Sequence, residues 1–216
     1  MLKEFEKRLI TSLILIPISI FFIFKGSIFF IFFLSILFLA ASYEWILMSK
    51  KNNLLRLLGI IFLFFSFYSA FFLRDTLGTD FFLFIICICI FTDIGGYIFG
   101  KIFKGPKLTK ISPNKTYSGM IGSYFLAIIS SFLLIKNSNL ITGKTYDITL
   151  ELFIVVILIS TISQIGDLIV SFFKRLSKIK DTGNLIPGHG GLLDRIDGLL
   201  FAMPVAYIIF YLNVLK

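Results

Sequence analysis

The sequence predicts an all-α, polytopic membrane helix bundle of about seven transmembrane helices, with its N-terminus in the cytoplasm. Three observations predict it. Hydrophobic residues make up 57% of the 216-residue chain and charged residues only 15%, with mean hydropathy +0.97. An ordinary soluble domain is about one quarter charged, so this chain lacks the polar groups to cover its own surface in water. The apolar residues also fall into runs near the ~20 residues a spanning helix needs. Finally, the basic residues are divided unevenly between alternate loops, as they are when one set of loops faces the cytoplasm.

The first span is expected over 9–24. It follows the basic start "MLKEFEKR", and no small-residue cleavage site follows its apolar run, so it reads as a retained helix. A tight turn at Lys25-Gly26 leads into the second span, 27–48. The third is expected over 54–73 and the fourth over 80–103; Cys87 and Cys89 in the fourth are apolar packing residues without metal-type spacing. The fifth, sixth and seventh are expected over 118–135, 150–173 and 196–214. What remains is loops, so the chain reads as one integral-membrane unit. Residues 1–89 are expected to form N-terminal transmembrane helices and 90–216 a transmembrane region that carries the longer cytoplasmic loops.

With alternating loops, Lys3, Lys7, Arg8, Lys50, Lys51 and Arg56 fall on the inside. So do Lys101, Lys104, Lys107, Lys110, Lys115, Lys174, Arg175, Lys178, Lys180 and Arg195. The outside holds Lys25, Arg74, Lys136, Lys144 and Lys216. The net charge of +9 therefore reads as membrane sidedness, and no nucleic-acid partner is inferred from it. The two longest basic loops, 101–117 and 174–195, are expected to share the cytoplasmic compartment.

Charge inside a membrane helix is expensive and usually functional. Glu44, Asp93 and Asp167 are the candidates. Ser160, Gln164, Asp167, Ser171, Lys174 and Lys178 recur at helical spacing as one polar stripe, opposite Ile162, Ile165, Ile169 and Phe173. Asp93, Gly96 or Tyr97, Gly100 and Lys104 make a second stripe, in which Gly96 and Gly100 allow another backbone to approach closely. Glu44 stands beside Trp45 near the end of its span, reads as interfacial and is given no role.

The remaining polar chemistry gathers in "PGHGGLLDRIDG", Pro187 to Gly198, which contains His189, Gly190, Gly191, Asp194, Arg195 and Asp197. Successive amides in such a loop can form an anion-binding nest, and the following helix offers its positive end to the same anion. Asp194 and Asp197, three apart, share a helical face. Their convergence with Asp167 beside Lys and Arg suggests a divalent metal–phosphate site; capping and pairing with Arg195 would explain Asp194 and Asp197 alone. Two other features carry nothing. "TGKTYD" at 142–147 lacks the first glycine of a phosphate loop and falls outside, and the sequon "NKT" at 114–116 falls inside.

"SFFKRLSKIKDTGNLIPGHGGLLDRID", Ser171 to Asp197, closely resembles the signature of the phosphatidate cytidylyltransferases, or CDP-diacylglycerol synthases. The matching positions are Ser171, Lys174, Arg175, Lys180, Asp181, His189, Gly190, Gly191, Asp194, Arg195 and Asp197. "TDIGGYIFGKIFKGPKL", "ISPNKTYSG" and "SQIGDLIVS" resemble further family segments, so the likeness covers roughly 90–202. Ser118 stands where the family commonly has Glu. The resemblance implies cytidylyl transfer from CTP to phosphatidate, giving CDP-diacylglycerol and pyrophosphate at the cytoplasmic face of the cell membrane. It implies Mg2+, with a second cation left open, on Asp167 and Asp194, with Asp197 on the ion or beside its ligands. Lys174, Arg175 and His189 join the catalytic set. Asp93, Ser112, Lys115, Thr116, Ser171, Lys180, Asp181, Gly190, Gly191 and Arg195 bind substrate. A homodimer is left open. The rival readings are another CTP-dependent lipid enzyme, such as a polyprenol kinase, and a transporter using Asp93 and Asp167.

Overall fold

The computed structural model describes residues 4–50, 52–109, 111–136, 149–188 and 190–212. These residues form seven α-helices and no named strand: α1 (Glu4–Lys25), α2 (Ser27–Met48), α3 (Asn53–Leu77), α4 (Thr79–Phe103), α5 (Tyr117–Lys136), α6 (Leu150–Leu176) and α7 (Leu193–Tyr211). The expected all-helical bundle is what is observed. By length and composition, α1 to α6 can cross a membrane. α7 differs because Asp194, Arg195 and Asp197 crowd its start. Its start is also three residues earlier than the apolar pattern suggests.

The helix boundaries have local causes. Gly26, at φ 63°, breaks α1 from α2. A side chain there would collide with the Arg74 guanidinium, which donates to the carbonyls of Ile23 (3.1 Å) and Phe24 (3.4 Å) at the end of α1. A cation at a helix C-terminus meets the negative end of its dipole. The Asn52 side chain accepts from the Leu55 amide (3.0 Å) to start α3, and Thr149 accepts from Leu152 (3.2 Å) to start α6.

α4 and α5 pack most closely. A Cβ at Gly95 would lie 2.4 Å from the Gly122 carbonyl oxygen, and one at Gly119 would lie 2.7 Å from that of Gly96. This is the close approach that small residues permit in membranes, where apolar burial gives little reason for helices to associate. α6 lies against α4, α5 and α7, and α3 packs on α7. Leu73, Ile85, Ile88, Ile159 and Leu193 fill the centre, while Leu13, Ile28, Phe32, Leu39, Phe64 and Ile121 point outward. That inversion suits a protein whose surroundings are lipid.

One end of the bundle collects the loops the charge count places together. Arg8 Nε donates to the Gly188 carbonyl (2.7 Å), Thr11 to that of Pro187 (3.0 Å) and Ser177 to that of Met48 (2.7 Å). The segment after α4 is tied to the same side of α6 through Lys115 and Asp167. These contacts bring the loops to one end.

Candidate functional site

Polar residues at this end form two separate groups. The first lines a cavity of about 280 Å³ between α4, α5 and α6. Asp93 from α4, Ser112, Lys115 and Thr116 from the 104–116 segment, and Gln164 and Asp167 from α6 all border it. That segment is shaped by backbone bonds: Leu108 N to Lys115 O (2.8 Å), Lys115 N to Ser112 O (3.1 Å) and Tyr117 N to Pro106 O (3.1 Å). Thr116 Oγ1 accepts from the Gly119 amide (3.1 Å) and so caps α5. Ser118 donates to the Lys104 carbonyl (2.9 Å), which makes it a support of the segment's fold.

Lys115 Nζ lies 2.5 Å from Asp167 Oδ2 and 3.5 Å from the Gln164 carbonyl. Ser171 Oγ approaches Asp167 Oδ1 at 3.5 Å. Asp197, buried on α7, accepts from the Gly198 amide (2.9 Å) and lies close to Asp167 and within the electrostatic reach of Asp93. Three carboxylates therefore face one region with Lys115 as the nearby cation. The α6 stripe continues above and below. Ser160 accepts from Thr92 (2.8 Å) and Lys174 reaches α7.

The second group lies at the start of α7. Asp194 Oδ1 pairs with Lys174 Nζ at 2.7 Å. Its Oδ2 accepts from the Thr182 amide (2.8 Å), the Thr182 hydroxyl (3.1 Å) and the Gly191 amide (3.2 Å). Burial pushes the Asp194 carboxyl up, but the Lys174 ammonium and the Thr182 donors outweigh it and hold the group below the ordinary carboxylate range. Deeper still is Glu44, fully buried on α2. It accepts from the Leu192 amide (2.9 Å), the Leu193 amide (2.8 Å) and the Thr182 hydroxyl (2.9 Å).

This arrangement changes two expectations. The loop at Gly190-Gly191, with the start of the following helix, is expected to offer an anion nest; here the Gly191 amide is taken by Asp194, and those of Leu192 and Leu193 by Glu44. Glu44 is no interfacial bystander, because it is enclosed and caps α7 from 149 residues away. The signal available in the sequence was its position, an acid in an otherwise apolar span.

The structure brings together Asp93, Asp167 and Asp197 and places Lys115, Ser112 and Thr116 beside them. It does not bring Asp194 to Asp167: both Asp194 oxygens face Lys174 and the Thr182–Gly191 turn. Arg175, Lys180, Asp181 and Arg195 are exposed around that turn, and Gly190 closes it by accepting from the Ile186 amide (3.0 Å). His189 lies outside the described residues, as does the 142–147 segment. Among the described residues, no group of three His, Cys, Asp or Glu is arranged to hold a metal ion by itself. The donor chemistry still fits one. Asp167 and Asp197 lie close together with Asp93 near them, oxygen donors of the kind a hard cation takes, and Mg2+ commonly uses one or two carboxylates and completes its shell with substrate phosphates.

Residues 53–213 match the model of the cytidylyltransferase family. The chain is similar to the phosphatidate cytidylyltransferase of Rickettsia bellii (strain RML369-C), 34% identical over 169 residues, which cover 77% of this chain and 73% of that protein. The phosphatidate cytidylyltransferase of Rickettsia felis (strain ATCC VR-1525 / URRWXCal2) is 41% identical over 57% of this chain and 55% of its own length. That of Bacillus subtilis (strain 168) is 39% identical over 58% of this chain and 46% of its own length. The match thus spans about half the length of the latter two relatives.

Proposed function

The chain belongs to the cytidylyltransferase family, and on that premise we propose that it transfers a cytidylyl group from CTP to phosphatidate at the cytoplasmic face of the cell membrane. The observation that carries this is the cavity where Asp93, Lys115 and Asp167 meet at the loop-bearing end of an apolar bundle. A transporter path would explain the intramembrane acids but not the adjoining turn built on Thr182, Gly191 and Asp194.

Two anionic reactants must meet, so charge neutralisation is the main problem. Lys115 projects into the cavity and is placed to take nucleotide phosphate when Asp167 is otherwise engaged. Lys174, Arg175 and Arg195 supply further positive charge near the turn. A non-bridging oxygen of the phosphatidate phosphate attacks the α-phosphorus of CTP. The bond from that phosphorus to the α–β bridging oxygen breaks, and pyrophosphate leaves with the electron pair. The attacking monoester needs no strong base, since its second pKa is about 6. Ser112, Thr116 and Ser171 orient oxygens, and the apolar outer faces admit acyl chains from the bilayer. Asp167 and Asp197 would hold Mg2+, which when bound neutralises phosphate charge and stabilises the leaving group. Preorganised positioning and electrostatics supply most of the acceleration in such transfers.

Incubating membranes that contain the protein with labelled CTP and phosphatidate tests this reading. A CTP-dependent liponucleotide is expected. A phosphorylated alcohol formed from an added polyprenol, or no product at all, would overturn it.

A further inference from the structure

Glu44 is 0% exposed, yet it belongs to α2, outside the 53–213 stretch matched by the family. A buried carboxylate is costly unless its oxygens are filled with donors. Here Oε1 accepts from Leu192 N, while Oε2 accepts from Leu193 N and the Thr182 hydroxyl. The turn is shaped to admit it. A Cβ at Gly183 would stand 2.7 Å from Glu44 Oε1, and one at Gly191 would stand 2.7 Å from Oε2 and 2.0 Å from Thr182 Oγ1.

Thr182 links this carboxylate to Asp194. Its hydroxyl lies 2.9 Å from Glu44 and 3.1 Å from Asp194 but carries one proton, so it serves one of them at a time. Asp194 in turn holds Lys174. We propose that Glu44 is a positioning residue for cytidylyl transfer: from a helix outside the matched region it fixes the Thr182–Leu193 turn, and through Thr182 it sets Asp194 and Lys174. This role rests on the activity assigned above.

Glu44→Gln nearly preserves size but must place an NH2 where an oxygen accepted, whichever way the amide turns. One donor then faces another. In purified full-length protein, kcat per folded molecule should fall at least about tenfold, with KM for phosphatidate within about twofold of the parent. Thr182→Val, which leaves both bonds from Glu44 to the α7 amides, should lower kcat several-fold, and Thr182→Ser should restore it. The double variant Glu44→Gln/Thr182→Val should be no worse than Glu44→Gln alone, because both act through one link. Normal kcat per folded molecule in Glu44→Gln, including a case where only Tm falls, would overturn the proposal. Additive losses in the double variant would do the same. If Glu44→Gln does not fold, Thr182→Val decides alone: parental kcat refutes the link, and reduced kcat recovered by Thr182→Ser supports it. Tryptic cleavage after Lys178 and Lys180 gives a readout independent of chemistry. It should be markedly faster in folded Glu44→Gln or in Thr182→Val, and an unchanged rate in the folded variant would count against a fixed turn. Absence of liponucleotide from the unsubstituted protein would sink the functional reading instead, leaving the cleavage result to judge the turn.

Discussion

The cavity and the α7 turn each contain acids, but they satisfy them differently. In the turn, Asp194 has the Lys174 ammonium and the Thr182 and Gly191 amides and Glu44 has the Leu192 and Leu193 amides, with the Thr182 hydroxyl serving one acid or the other. In the cavity, Asp167 has Lys115 and a distant serine, and its other near neighbour is a second acid, Asp197. Saturated carboxylates have little left to offer a ligand. Undersatisfied ones keep a high local field that a cation or a passing ammonium can relieve. The difference separates acids that build the site from acids that are available for its chemistry, although residue type alone makes them look alike.

The largest effect should come from the cavity. Asp167→Asn should lower liponucleotide formation by at least about 100-fold while leaving Tm intact, because it removes charge where charge is in excess. Equal loss of Tm and turnover would erase the contrast. In the turn the balance should reverse. Asp194→Asn leaves Lys174 without its counter-ion and should cost about 3 kcal/mol in denaturant unfolding, with activity falling as a consequence. Unchanged stability there would place Asp194 with the reactive acids.

Lys115→Met sharpens the comparison from the cationic side. Turnover should drop roughly tenfold or more, yet Mn2+ binding to the nucleotide-free protein, followed by electron paramagnetic resonance, should tighten because Asp167 loses its internal partner. Weaker Mn2+ binding would show that the lysine supports the acids instead of competing for them. The smallest effect belongs to Ser118→Ala, which removes the hydrogen bond to the Lys104 carbonyl and the hydroxyl contact with Thr116. About 1 kcal/mol of stability should be lost, with turnover within about threefold. A larger kinetic loss would move Ser118 from scaffold to site.

Much of this was legible from residue order because it depends on near neighbours. Apolar runs gave the spans to within about five residues, with the largest differences at the start of α1 and the end of α3, while at α7 Asp194 and Glu44 draw the start back to Leu193. Helical spacing put Gln164, Asp167 and Lys174 on one stripe, and the glycines of α4 marked its tight seam with α5. What stayed hidden depends on residues far apart in the chain. Glu44 and Thr182 are separated by 138 positions, and no local rule connects them. Spacing likewise shows that amides are clustered before α7, but not that a carboxylate from α2 takes those of Leu192 and Leu193. Asp194 and Asp167 could be placed at neighbouring helix ends, yet which way each side chain turns was decided by Lys174 and Lys115.

α1 buries little of itself, with only 6% of its apolar window enclosed, yet it is fastened at each extremity. Arg8 and Thr11 grip the backbone at Pro187 and Gly188, and Arg74 grips the opposite tip beside Gly26. A rod pinned at its two tips and loose along its length responds to the thickness of the sheet around it by changing tilt. The outward-facing α1 and the backbone at Pro187 and Gly188 therefore brace one another directly, across 180 positions of sequence.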